Sequence, residues 1–523
     1  MAAHSYALRT AHFGGLAVTF CSEPSMPLFR HLPSFLARTA ATATLFAFAA
    51  CTTERPTAPA SSEARTTQTP SDGIALVNVS NVTRDTTAQN ETPIAVNPLN
   101  PLNLIVGGND WNYNDGCAVN ASLDAGRSWT PTLPDGFLPG ITKFTNNPAV
   151  AGTGPYDYGG DPAVAFGPTG TAYFACFGYE GTSPYGVKLL LSRSYDGGRT
   201  WLKGDAAQPL AVVSAFQGNG KERGGNGQFA DHEQMAVSAD GTIYVTWAQF
   251  HGTGGSDPVY VSTSRNDGVS FSAPVKVSAK NVNVNQNQRV VTNATGSVAF
   301  LVWDNFEHGS KGTAALYVSQ STDRGQSWSD AVQLGAYQQP IDLFPPSFSI
   351  SGTPFRGPGT YPAPAYNAAR NRLYVAYADI VNGRAQVFVT WASATDLSTW
   401  STPVVVAPVA SGDRFGAELS IAPNGRLDVM FYDRSYSANS QVDVTYATSA
   451  DGGASWRSRR VTSSSFDPAA FGVPGRGSFI PFLGDYNGIA STPTNAYLAW
   501  TGPGTIYGIF PTNLEIWSAT VKP

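Results

Sequence analysis

Charge is scarce in this chain. Only 13% of its 523 residues are Asp, Glu, Lys or Arg, about half of the ~25% usual in soluble domains. The net charge is −5 and no basic run extends beyond Arg457–Arg460, so the sequence offers no footprint for nucleic acid. Cysteine is nearly absent, with four in all, and only Cys117 and Cys176 fall in the part that reads as folded. A disulfide and a pair of buried thiols remain equally open there. No His/Cys spacing suits zinc. Helical periodicity is missing beyond residue 75, and the apolar run near the N-terminus is short and Ala/Thr-rich for a membrane span.

What the chain has instead is Gly 53, Pro 37 and 12% aromatic residues, the composition of many short strands joined by tight turns. Its N-terminus reads as an export signal whose start is Met26. Arg30 and Arg38 precede an apolar run, and small residues lead to Cys51. Phe48-Ala-Ala-Cys51 is similar to a bacterial lipobox, which makes Cys51 the expected lipidation site and mature N-terminus; simple cleavage and secretion is the alternative. Residues 52–73, rich in Thr, Ser, Pro and Ala, form a tether with nothing to bury. The folded domain is expected over 74–523, exported and either lipid-anchored in a bacterial envelope or secreted.

One motif recurs. Ser122-Leu-Asp-Ala-Gly-Arg-Ser-Trp129, Ser194-Tyr-Asp-Gly-Gly-Arg-Thr-Trp201, Ser321-Thr-Asp-Arg-Gly-Gln-Ser-Trp328 and Ser449-Ala-Asp-Gly-Gly-Ala-Ser-Trp456 share the form S-x-D-x-G-x-[ST]-W. Ser264–Phe271 is a weaker copy and Ser393–Trp400 a remnant without its glycine. Each follows a short alternating strand, which places it at a hairpin turn. Upstream of each lies an apolar strand, a turn and a second strand ending in an aromatic residue, as in 161–177, 233–250 and 417–433. Seven such modules predict an all-β, seven-bladed β-propeller of four-stranded blades. The last module ends at 513–521 without an outer strand. The unpaired segment 74–82 is expected to supply it and close the ring. Six blades plus an extra sheet is the alternative.

These turns resemble the Asp-boxes of the bacterial sialidase superfamily, over roughly residues 76–521. "FLGDYNGIA" (482–490) and "VMFYDR" (429–434) are similar to exported sialidase-like proteins. In the boxes themselves the Asp caps backbone N–H groups, Gly takes positive φ and Trp fills space between sheets. Their multiplicity marks them as structural, and chemistry belongs on the opposite face, where the long connections lie. That face holds the starts of the inner strands: Glu91, Asp161, Asp231 with Glu233, Arg289, Tyr361, Glu418, and Asp485 with Tyr486. The loops between second and third strands add Trp111, Tyr113, Tyr179, His251, Asp304, His308, Asp433 and Arg434.

Clustered carboxylates with aromatics and arginines suit glycan binding, and paired acids suit glycosidic cleavage. The resemblance implies a Tyr nucleophile activated by a Glu, an Asp acid/base and three Arg around a substrate carboxylate. By position, Tyr486 and Glu233 match the pair, and Arg289 and Arg414 two of the arginines. The place of the first Arg is taken by Glu91, before Thr92-Pro93-Ile94, which argues against sialic acid. The expected catalytic residues are Asp231, Glu233, Asp485 and Tyr486, and the expected substrate contacts are Glu91, Asp161, Arg289, Glu418, Arg434 and Trp111. No cofactor or catalytic metal is expected, though a structural cation such as calcium suits a polar channel. The expected partner is a glycan, bound by a monomer that meets a membrane only through its anchor. The other reading is a non-catalytic envelope propeller that binds protein or polysaccharide, its acids merely capping backbone N–H groups.

Overall fold

The computed structural model describes residues 73–523 apart from 85, 112–114, 133–135, 146–148, 181–185, 218–227, 252–256, 280–281, 283, 307–312, 339–354, 360, 475–478 and 505–512. Met26, Cys51, the tether up to residue 72, Tyr113 and His308, and the side chain of His251, lie outside the described residues.

Seven antiparallel sheets form a seven-bladed propeller, six with their strands in sequence order and the seventh joining the last three strands of the propeller to its first. The inner strands are Ile94–Asn97, Tyr158–Phe166, Gln228–Val237, Asn285–Thr292, Ala363–Asn367, Arg414–Ile421 and Gly488–Ser491, for blades one to seven. Blade seven closes as the missing outer strand requires. Ala75–Asn81 runs antiparallel to Leu514–Lys522, with Ala75 opposite Lys522 and Asn81 opposite Trp517. The first and last strands of the chain thus share one sheet, which removes two exposed edges. The degenerate fifth module is a full blade: its remnant Ser393–Trp400 holds both the hairpin turn and a short outer strand, Asp396–Trp400, and Val404–Val405 follows.

The cores lie between blades. One cluster joins Phe177, Leu189 and Leu191 of blade two to Val245 and Trp247 of blade three, and others repeat this around the ring. Cys117 of blade one is disulfide-bonded to Cys176 of blade two across 59 residues, which settles the alternative left open by the sequence.

The box turns act as the sequence implies. In Ser194–Trp201, Asp196 Oδ1 accepts from the N–H groups of Arg199 and Thr200 at 3.0 and 2.9 Å, and Oδ2 from the Thr200 hydroxyl at 2.7 Å. Gly198 has φ +90°, and a Cβ there would lie 2.5 Å from Ile105 of blade one. Trp201 packs edge-on to Phe174 at 6.0 Å within the core between blades one and two. Every box joins a third strand to a fourth, so all lie on one face.

Inner strands share a feature that the sequence did not announce. In blades two, three, four and six the pairing slips by one residue, between Gly160 and Ala163, Asp231 and Gln234, Gln286 and Arg289, and Phe415 and Glu418. At each slip one residue is left-handed: Asp161 (φ 56°), His232 (59°), Asn287 (56°) and Gly416 (63°); Glu91 (59°) and Gly484 (92°) mark the corresponding places in blades one and seven. These are β-bulges of the kind that normally carry glycine. They kink the strands at one level and turn the following side chains toward the central channel.

Candidate functional site

Bulges set this level of the channel, and every blade contributes to it. Blade one brings Glu91, blade two Asp161, blade three Asp231, His232 and Glu233, blade four Arg289, blade five Tyr361, blade six Glu418, and blade seven Asp485 and Tyr486. All the inner-strand residues singled out from sequence are there. Two further groups were not foreseen: His232, between two acids that drew the attention, and Arg356, which lies in a long connection with no repeat to mark it.

Three of the titratable groups are themselves the left-handed bulge residues. A side chain in that conformation costs roughly 1–2 kcal/mol relative to glycine. Of the thirteen left-handed non-glycine residues among those described, Glu91, Asp161, His232 and Asn287 share this one level of the channel, and such strain clusters at functional sites.

The hydrogen bonds explain the placement. Asn109 of blade one donates to Glu91 Oε2 at 2.6 Å and accepts from the Asp161 N–H at 2.8 Å. Asp161 Oδ2 accepts from the His232 N–H at 2.8 Å, and the Asp161 and Asp231 side chains are hydrogen-bonded to each other. Glu91 Oε1 accepts from the Asp485 N–H at 3.2 Å. Asp485 in turn holds Arg356 at 2.5 Å and the Tyr361 hydroxyl at 3.2 Å. Arg356 lies 4.0 Å over the Phe482 ring. Arg289 makes a two-pronged pair with Glu418, one prong Nη2 to Oε1 at 2.7 Å. The His232 ring stands edge-on between Tyr361 and Tyr486, with centroids 5.6 and 5.0 Å away.

Crowding acids out of water shifts their protons. Burial, reinforced by Asp485, pushes Glu91 up to about 8. Burial and the Glu91 charge push Asp161 up to about 7, against the pull of its bonds to Asp231 and His232. Glu233 and Asp485 are also raised, burial first; for Asp485 the Arg356 charge opposes the rise. Burial and the two guanidiniums hold His232 well below the usual histidine range, so its ring is neutral. A mixed population of protonated and ionised carboxyls at neutral pH is what acid–base chemistry needs.

Depth divides these groups. Asp161, Asp231, Arg289 and Arg356 are partly exposed. Glu233 is fully buried, and among the described residues neither its carboxyl oxygens nor His232 Nε2 has a hydrogen-bond partner. Tyr486 is buried and its hydroxyl donates to the Pro162 carbonyl at 3.0 Å, so it forms the floor beside Glu233. Trp111 sits at the rim, donating to Asn90 Oδ1 at 2.9 Å and edge-on to Phe482. Arg434 lies elsewhere: it is buried in blade six, 3.7 Å from Asp413 and over the Phe355 ring. Arg414 is likewise internal, paired with Asp433 at 2.9 Å. Arg434 was expected at the site from its loop and Arg414 from the sialidase resemblance; each is instead held by a nearby acid, Asp413 and Asp433. Among the described residues no group of three or more His, Cys, Asp or Glu is arranged to hold a metal ion.

No family model matches the chain, and no curated protein matches it in sequence. Solved structures similar to it include a Dyadobacter fermentans protein of unknown function, at 10% identity over 86% of this chain and 99% of that one, TM-score 0.44. An ulvan lyase is 11% identical over 84% of this chain and 95% of its own, TM-score 0.47. An α-L-arabinofuranosidase of Fusarium graminearum is 12% identical over 56% and 93%, TM-score 0.37.

Proposed function

We propose that this protein is an exported propeller that binds a glycan at the inner-strand mouth and cleaves it by acid–base chemistry. The observation that carries the reading is the Asp161–Asp231 pair. It is partly exposed and built on a strained bulge, and burial with the Glu91 charge pushes the Asp161 carboxyl up to about 7, so that it carries a proton part of the time near neutral pH. In a hydrolysis the pair gives its proton to the leaving glycosidic oxygen, while Asp485, oriented by Arg356 and Tyr361, accepts a proton from the attacking water. The water oxygen bonds to the anomeric carbon as the glycosidic C–O bond breaks; one product leaves with the pair's proton on its oxygen, the other keeps the water hydroxyl, and the proton taken by Asp485 returns to the pair through solvent. Glu91 is the proton reserve behind Asp485, and Glu233 and Tyr486 close the floor.

The Asp-boxes support the sialidase superfamily as the parent of the scaffold. The substrate is a separate matter. A sugar carboxylate needs guanidiniums to receive it; Arg289 and Arg356 are already engaged by Glu418 and Asp485, and acids outnumber them. This favours a neutral or amino sugar over sialic acid. A binding-only propeller is the second reading, favoured by the depth of Glu233 and by the Tyr486 hydroxyl being occupied.

The test is turnover by purified protein of a panel of fluorogenic glycosides and polysaccharides, neutral, amino and sialylated. We expect turnover of a neutral or amino member and its loss, by a factor of at least about 100, in Asp231→Asn. Binding without turnover on every member would establish the second reading instead.

A further inference from the structure

The box face carries an apolar arc, and it lies where the chain comes in. Because Ala75 pairs with Lys522 at the end of a third strand, the folded domain begins at the box face, with Gly73 close to Arg457 just beyond the sixth-blade box. Five of the large exposed apolar residues lie in or beside turns of that same face in three successive blades. They are Leu99 (67% exposed), Leu102 (50%) and Leu123 (46%) of blade one, Tyr195 (65%) of box two and Val269 (58%) of box three. The turns are joined: a Gly170 Cβ would sit 3.5 Å from Leu99, and Asn103 donates to the Gly197 carbonyl at 2.8 Å. Blade one adjoins blade seven, where the chain arrives. Exposed Arg127, Arg199 and Arg265 sit among these residues in the three boxes; the carboxylates of Asp124 and Asp196 cap their own turns, and that of Asp267 accepts from the Tyr173 and Tyr195 hydroxyls. Apolar tips, a tyrosine and interspersed arginines are the make-up of a surface that rests on lipid headgroups.

We propose that this arc of the box face lies on an anionic phospholipid bilayer, so that the acidic mouth points away from the membrane. The proposal rests on the exported, lipid-anchored reading for its setting. Twenty-one residues separate Cys51 from Gly73, so an anchor at Cys51 bounds the distance of the domain from the bilayer without fixing which face meets it. The arc supplies the orientation.

The two ideas are tested apart. Palmitate labelling of the full chain, with Cys51→Ser as control, reads the anchor. Co-sedimentation of the anchor-free Cys51→Ser chain with vesicles of phosphatidylethanolamine and phosphatidylglycerol reads the face. We expect weak partitioning that grows with phosphatidylglycerol and falls at least about tenfold when Leu99, Leu102 and Leu123 are all changed to Ser. The same loss is expected from Arg127→Glu with Arg199→Glu, which leaves the apolar side chains in place. No partitioning, or partitioning indifferent to both sets, overturns the membrane face whatever the labelling shows. All these side chains are exposed, so folding is not at issue.

Discussion

Replacing Asp161 by Asn should make the folded protein more stable at neutral pH while removing its chemistry. In the fold this carboxyl titrates at about 7 against an ordinary 3.8. Between those values the folded chain holds a proton that the unfolded chain has released, so stability falls as pH rises. The contribution is complete below the ordinary value and is lost as pH rises through 7, at up to ~1.4 kcal/mol per pH unit, or roughly 4 kcal/mol in all at the limit. Asn keeps the shape and an oxygen for the His232 N–H, yet cannot ionise. We therefore expect the variant to be more stable than wild type by about 1–4 kcal/mol at pH 7.5, with the gap closing toward pH 5. The assay is the guanidinium unfolding midpoint of both proteins from pH 5 to 8. A variant that is less stable at every pH, or a gap that does not change with pH, would refute the raised carboxyl and with it the proton donor.

Three further outcomes follow from the same structure. Ala125 occupies a left-handed position (φ 63°) that boxes two and six fill with glycine, so Ala125→Gly should stabilise by about 1 kcal/mol, measured by thermal unfolding. Asp196→Ala removes three caps from a box turn and should cost about 1–3 kcal/mol while leaving any turnover unchanged; lost turnover in a folded variant would place chemistry on the wrong face. Removing the Cys117–Cys176 bridge as a double Ala variant should cost about 2–4 kcal/mol, read as a lower unfolding midpoint than that of the oxidised wild type.

Much of the fold was legible because it repeats. Box turns counted the blades, fixed the face, and left one outer strand for residues 74–82 to supply. The positions of Glu91, Asp161, Asp231, Arg289, Tyr361, Glu418 and Asp485 followed from register alone, since each stands where an inner strand begins. The bulges did not follow. A left-handed residue is signalled by glycine at Gly416 and Gly484, but Glu91 adopts it against its own preference, and Asp161, His232 and Asn287, which tolerate it better, do so with no glycine to signal it. Arg356 sits outside every repeat, so nothing local ties it to Asp485. Arg434 shows the converse: loop position suggested substrate contact and nearby Asp413 claimed it, as Asp433 claimed Arg414, which the resemblance had put at the site.

The central claim is that acid–base chemistry on glycans occurs at the inner-strand mouth. Its most direct measurement compares wild type, Asp161→Asn and Asp196→Ala for turnover of whichever glycoside in the panel the wild type cleaves fastest. The account predicts activity in wild type and Asp196→Ala and its loss in a stably folded Asp161→Asn. Full activity in Asp161→Asn, or no turnover by wild type on any glycan, would contradict it.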